Sequence, residues 1–178
     1  MLKKKIRKQI LFLRKKKYKS KFKINKNLIL HIIKKFKGSN AIIGGYYPVN
    51  YEIDCLEILN FLEKKKYLIS LPVIKKKNAM KFIQWSFADP LKISKFGIPE
   101  PLNSKALYPD VLLVPLVAFD KNFYRIGYGG GYYDRYLNNK RNAKNILTIG
   151  LAFSFQEVNK IEINRFDRKL NMVLTEKN

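Results

Sequence analysis

The stretch "DVLLVPLVAFDKNFYRIGYGGGYYDRYL", Asp110–Leu137, decides the fold. Its first part, "VLLVPLVAF" (111–119), is apolar at every position. That is the pattern of a strand buried on both faces, central in a parallel sheet. Its last part, "GGYYDRYLNN" (130–139), places tyrosines and Leu137 on one face of a helix. Between them, four of the chain's nine glycines (Gly127, Gly129, Gly130 and Gly131) fall within five residues. Glycine reaches positive φ without strain and lets backbone N–H groups approach a ligand closely. Between a strand and a helix start, such a cluster makes an anion nest. It also serves as a tight strand-to-helix turn, and both readings stay open at this point. The wording matches no common nucleotide loop: there is no G-x-x-x-x-G-K-[ST], and Tyr132 stands where the last glycine of G-x-G-x-x-G would fall.

Working outward, residues 3–17 carry Ile6, Ile10 and Leu13 among lysines, an amphipathic helix. A second helix is expected over 26–37, stopped by "GSN". "AIIGGYYP" (41–48) reads as a short buried strand. "DCLEILNFLEKKK" (54–66) has helical spacing at Cys55, Leu59 and Leu62, with Asp54 as N-cap. "YLISLPVI" (67–74), "MKFIQW" (80–85) and "ILTIGLAF" (146–153) read as strands, and "MVL" (172–174) as a last short one. "FGIPEPL" (96–102) reads as a loop fixed by two prolines. Strands alternate with helices, so the expected class is α/β: one domain over 1–178, a Rossmann-like three-layer sandwich around a mostly parallel central sheet. Ligands in such folds sit at the carboxyl ends of strands.

A chain of 178 residues, 47% of them apolar, can bury a real core. The single cysteine, Cys55, excludes an internal disulfide and fits a reducing compartment. The apolar run "ILFL" near the start is too short for a secretion signal, and no run approaches a membrane span. A cytoplasmic protein is expected, with no membrane association. The formal charge of +24 invites a nucleic-acid reading. Yet the chain has 30 Lys against 7 Arg, and 16 Asn against 7 Ala. Lysine and asparagine codons are AT-rich, so composition alone accounts for much of the charge. Arginine, which reads bases and grips phosphate bidentately, is the scarce cation. No RNP-type, KH, zinc or helix-turn-helix signature stands out.

Around the glycine cluster, "VPLVAFDKNFYRIGYGGGYYDRYL" resembles the signature of the 5-formyltetrahydrofolate cyclo-ligase (methenyltetrahydrofolate synthetase) family, V-P-x-x-A-F-D followed by R-[LI]-G-x-G-x-G-[FY]-Y-D-R. "KKKIRKQI" (3–10) is similar to the family's K-x-x-L-R helix start, and "YYPVNYEID" (46–54) to its Y-x-P-x-x-x-E-[IV]-D loop. "FGIPEP" (96–101) occurs in the same order. "NRFDRKLNMVLTE" (164–176) resembles its C-terminal D-x-x-[LV]-[DN]-x-[VI]-[LV]-T-E. The resemblance spans nearly the whole chain in order.

What the resemblance implies is an ATP-dependent ligase. It converts 5-formyltetrahydrofolate to 5,10-methenyltetrahydrofolate with release of ADP and phosphate, through phosphorylation of the formyl oxygen. By resemblance, the basic helix within 1–17 contributes to the ATP site through Lys3, Lys4, Lys5, Ile6 and Arg7. Arg125 stabilises the γ-phosphate and, with Tyr132, is a catalytic candidate. Gly127, Gly129, Gly130 and Gly131 supply the nest, Tyr132 and Tyr133 join them at the ATP site, and the two tyrosines line the folate pocket near the formyl group. Tyr47, Glu52, Phe96 and Tyr128 are expected on the folate, together with Gly129, Gly130, Gly131 and Tyr132. Glu52 suits the pterin ring because its N–H and amino groups are donors. Asp134 and Asp167 are expected to hold Mg²⁺, which needs one or two carboxylates besides phosphate oxygens and water. Consecutive helix residues such as Tyr132 and Tyr133 should not both face inward, so one of them is expected to be structural. Some relatives carry a lysine in the loop where this chain has Gly130. Trp85, His31 and Cys55 read as structural. A monomer is expected, since no long apolar surface stripe stands out. The alternatives are a basic nucleic-acid-binding protein and another small-molecule phosphotransferase.

Overall fold

In the computed structural model of the chain, residues 2–18, 23–75, 79–139 and 145–178 are described. Met1, the first residue of the basic N-terminal segment, lies outside them. In chain order the helices are α1 (Leu2–Lys17), α2 (Lys26–Lys37), α3 (Cys55–Lys64) and α4 (Tyr132–Asn138). The strands are β1 (Ile42–Gly44), β2 (Leu68–Ile74), β3 (Met80–Gln84), β4 (Leu91–Ile93), β5 (Pro99–Pro101), β6 (Ala106–Leu107), β7 (Val111–Pro115), β8 (Ala118–Asp120), β9 (Arg125–Ile126), β10 (Leu147–Leu151), β11 (Glu157–Val158) and β12 (Met172–Leu174).

The helix starts follow local chemistry. The Asn25 side chain accepts the N–H groups of Asn27 and Leu28 at the head of α2, and Asp54 accepts those of Leu56 and Glu57 at the head of α3. Such caps satisfy donors that have no partner within the helix, at about 1 kcal/mol each.

The central sheet has seven strands in the order β12-β10-β7-β1-β2-β3-β6. From β12 to β2 every pairing is parallel, and β3 and β6 close one edge antiparallel. The protein is thus α/β, with a mostly parallel mixed sheet. Strand β7 is central, and Val111, Leu112, Leu113 and Val114 are all fully buried. Alternation sends Val111 and Leu113 to one face, where they meet Ile29 and Ile33 of α2 and Ile58, Leu59 and Leu62 of α3. Leu112 and Val114 go to the other face, against Tyr136 and Leu137 of α4. Each such side chain contributes about 1.5–3 kcal/mol of burial.

Two departures from the sequence reading shape the site. The run 111–119 is not one strand. Pro115 ends β7 because it has no N–H to extend the ladder. The carbonyl of Leu116 is then taken by the Arg14 and Gln156 side chains, and that of Val117 by Gln156. The chain continues in β8, part of a small sheet ordered β11-β8-β9. Helix α1 packs on this small sheet, with Ile10 against Val117, Ala118 and Ile126. The second departure is "FGIPEPL", which is not wholly loop. Its residues 99–101 form β5, antiparallel to β4 in a two-stranded hairpin. Proline is tolerated there because no neighbouring strand requires its missing donor.

Candidate active site

The β8–β9 hairpin delivers the glycine loop. Buried Asp120 at its turn accepts the N–H groups of Asn122, Tyr124 and Ile161, which fixes the hairpin against the chain after β11. Strand β9 then ends in Arg125 and Ile126, both buried, and the glycines follow. Gly129 (φ 106°) and Gly131 (φ 65°) occupy the left-handed region, so the loop requires glycine at both. At Gly130 a Cβ would stand 2.5 Å from Cε2 of the Tyr132 ring, so a side chain there would make that ring shift.

Behind this loop opens a cavity of about 1120 Å³. At one end its wall is cationic. The Arg7 Nε–H donates to the Gly127 carbonyl (2.7 Å), which lays the guanidinium beside Gly129. Arg125 donates from Nη1 to the Arg168 carbonyl (2.7 Å) and from Nη2 to Asp134 Oδ1 (2.8 Å). Asp134 Oδ1 also accepts the Arg168 N–H. Lys3 pairs with Asp167 at 2.5 Å, and Asp167 accepts the Asn164 N–H. Each of the two carboxylates therefore faces a cation. Among the described residues, no cluster of three or more His, Cys, Asp or Glu could hold a metal by itself. Two carboxylates beside cationic side chains still match what Mg²⁺ asks of a protein when a nucleotide supplies further oxygens.

The cavity also has an aromatic and apolar lining, which includes Tyr46, Tyr47, Phe96, Tyr132 and Tyr133. Phe96, on the β4–β5 hairpin, meets Tyr132 edge to face at 6.2 Å. Glu52 projects from a turn in which Asn50 (φ 49°) and Tyr51 (φ 61°) are left-handed, a strained backbone held by its surroundings. Its Oε2 accepts the Val49 N–H (2.9 Å), while the buried Oε1 has no hydrogen-bond partner. Burial pushes the carboxyl up to about 7, although the Val49 N–H, the Arg14 charge and the Tyr128 hydroxyl favour its ionised form. Burial also raises Tyr46 and Tyr133 well above an ordinary tyrosine, and Tyr128 to about 12.

Of the residues singled out from the sequence, Lys3, Arg7, Tyr47, Glu52, Phe96, Arg125, Gly127, Tyr128, Gly129, Gly130, Gly131, Tyr132, Tyr133, Asp134 and Asp167 all line this one cavity. Tyr132 and Tyr133 both do so, contrary to the one-face expectation, because α4 starts at the cavity wall rather than lying flat beneath it. Lys4 and Lys5 are exposed and lie off the cavity, and Ile6 packs into the apolar cluster under α1. Only positions 3 and 7, one turn apart, share the helix face that meets the loop. Two participants escaped the sequence reading. Tyr46 lines the aromatic end. Arg14, only 1% exposed, lies on the same helical line as Ile6 and Ile10. Trp85 and Cys55 are buried in the core, while His31 is exposed on α2. No helix of the described residues is long and apolar enough to cross a membrane.

The family model described as 5-formyltetrahydrofolate cyclo-ligase matches residues 1–176. The 5-formyltetrahydrofolate cyclo-ligase of Haemophilus influenzae is 34% identical over 152 residues, covering 82% of this chain and 80% of that one. That of Escherichia coli K12 is 33% identical over 131 residues, 70% of this chain and 71% of that one. Among solved structures, a 5,10-methenyltetrahydrofolate synthetase from Mycoplasma pneumoniae superposes with a TM-score of 0.74 at 26% identity, covering 99% of both chains. The one from Aquifex aeolicus also gives 0.74, at 29% identity, over 100% of this chain and 91% of that one.

Proposed function

The chain belongs to the 5-formyltetrahydrofolate cyclo-ligase family, and we propose that its cavity performs the family's ATP-using reaction with the cationic end on the nucleotide and the aromatic end on the folate. The observation that carries this division is the cavity itself: one lining holds both Arg7, Arg125 and glycine backbone and a buried carboxylate with an unused acceptor.

The formamide oxygen of the substrate is a poor leaving group. Its attack on the γ-phosphorus forms an O–P bond and breaks the bond to ADP. N10 then attacks the formyl carbon and loses its proton, and the C–O bond breaks with departure of phosphate. The residues mainly position the reactants and balance charge. Glu52 offers Oε1 to the pterin N–H and amino group. Tyr47, Tyr128 and Phe96 flank the ring, and Tyr132 reaches the formyl group. Arg125 and Arg7 meet the phosphates, with Lys3 at the edge, and the backbone of Gly127–Gly131 wraps them. Asp134 and Asp167 would hold Mg²⁺, which when bound neutralises charge on the β- and γ-phosphates. The scattered lysines serve no specific nucleic acid, and the protein acts as a cytoplasmic monomer of one domain.

Incubation with ATP, Mg²⁺ and 5-formyltetrahydrofolate should give the methenyl absorbance and ADP in equal amounts. ATP hydrolysis without the folate, and no methenyl product with it, would overturn this reading.

A further inference from the structure

We propose that Arg14 is a positioning residue for the folate end of the cavity: from behind the wall, and through the Tyr128 hydroxyl, it favours the ionised, acceptor-only form of Glu52 that a pterin edge requires. The inference rests on the reading of Glu52 as the pterin carboxylate.

Arg14 is the most deeply buried cation among the described residues, at 1% exposure, in a run of otherwise exposed lysines. A guanidinium stays charged at any working pH, so its burial demands a compensating role. It has no carboxylate partner within ion-pair distance among the described residues; its contacts are the Leu116 carbonyl (3.1 Å) and the Tyr128 hydroxyl, and its Nε–H is unpartnered. Its guanidinium also sits 5.7 Å from the Tyr128 ring centre. The nearby buried Glu52 has the complementary deficit, an acceptor oxygen without a donor. A tyrosine hydroxyl that accepts from a cation becomes a better donor through polarisation. Tyr128 and Glu52 line the same cavity, and both the Tyr128 hydroxyl and the Arg14 charge favour the ionised carboxylate, so Arg14 acts on Glu52 through Tyr128 and by its own field. Leu116 fixes Arg14 in turn, because its carbonyl is freed where Pro115 ends β7.

The other groups facing Glu52 cannot replace it. Tyr133 of α4, Tyr46 of its own loop and Cys55 at the start of α3 are all uncharged, and each would raise the carboxyl further if ionised. On its far side, a small cavity of about 170 Å³ brings Lys23, Lys26, Asp54 and Glu57 near. Both lysines there are paired with Glu57. Lys3, Arg7 and Arg125 stand at the phosphate end, where Lys3 and Arg125 are paired with carboxylates.

The test measures KM for 5-formyltetrahydrofolate and for ATP from pH 5.5 to 8.5 in the wild type, Arg14→Met, Arg14→Lys and Tyr128→Phe. Alongside, ¹³Cδ-glutamate NMR follows the Glu52 carboxyl in the unliganded proteins, assigned by its loss in Glu52→Gln. Below the Glu52 inflection, folate KM should rise about tenfold per pH unit. In Arg14→Met that inflection, in both KM and NMR, should move up by about one pH unit or more. Near neutral pH, folate KM then increases about tenfold while ATP KM stays within about twofold. Arg14→Lys keeps the charge and should move it less; Tyr128→Phe should move it in the same direction. If Arg14→Met does not fold, Arg14→Lys and Tyr128→Phe carry the test. Inflections that stay at the wild-type pH in the folded variants would overturn the role of Arg14. Glu52→Gln separates the two failures. A wild-type folate profile in that variant refutes the pterin reading itself. A raised KM there, with an NMR titration indifferent to Arg14, refutes only the present inference.

Discussion

Replacing Glu52 with glutamine should move stability and binding in opposite directions. In the free protein the carboxyl is buried and its Oε1 unpartnered, which carries its pKa from 4.5 to about 7. The folded state therefore binds this proton more tightly than the unfolded chain does. The stabilisation is complete below pH 4.5 and is lost as pH rises through about 7. At pH 8 the ionised carboxylate leaves the free protein less stable, by about 3 kcal/mol, than a neutral group of the same shape would. Glutamine is such a group, and its carbonyl can still accept the Val49 N–H. Unliganded Glu52→Gln should then melt several degrees above the wild type at pH 8, with the gap closing toward pH 5. Its amide N–H₂, however, turns donors toward the donors of the pterin. Loss of a charge-assisted hydrogen bond of about 1.5–3 kcal/mol raises the folate Kd about 10- to 150-fold. ATP binding should be unchanged. Thermal melts at several pH values and calorimetry for each ligand check both halves. A gap in melting temperature that does not depend on pH, or equal losses for ATP and folate, would refute the reasoning.

Folate binding to the wild type near pH 6 should release a proton as Glu52 ionises against the pterin donors; calorimetry in buffers of different ionisation heat reads it, and Glu52→Gln should show none. Asp134→Asn should raise the Mg²⁺ needed for half-activity and lower kcat, more than Asp167→Asn does. Asp134 also anchors Arg125 and the Arg168 N–H, whereas Asp167 anchors Lys3. Initial rates against Mg²⁺, with circular dichroism as the folding control, decide it. Gly130→Ala should push the Tyr132 ring off Phe96 and raise folate KM, because its Cβ would lie 2.5 Å from that ring. Gly131→Ala should cost about 1–2 kcal/mol of stability through its left-handed backbone, read by denaturant melts.

Much of the protein was legible in the sequence because local chemistry decides it. Asn25 and Asp54 cap the helices they precede, and α2 runs over 26–37 as its periodicity implies. The apolar run after Asp110 had to be central because no alternating polar face exists to meet water. Four glycines marked the loop; Gly129 and Gly131 hold its left-handed positions, and Gly130 lies under the Tyr132 ring. Tertiary structure decided the rest. The Leu116 carbonyl after Pro115 had to meet the side chains of Arg14 and Gln156 before the long strand could be seen to break. "FGIPEP" became half a hairpin because β4 pairs with it, and pairing is not a property of one segment. Among three consecutive lysines, only docking of α1 on the small sheet selects position 3, with Arg7, to face the loop. The same docking buries Arg14, which a linear reading places in a solvated basic run. Charge in a sequence has no dielectric until the chain folds. Glu52 and Arg14 acquire their chemistry only where three distant segments exclude water around them.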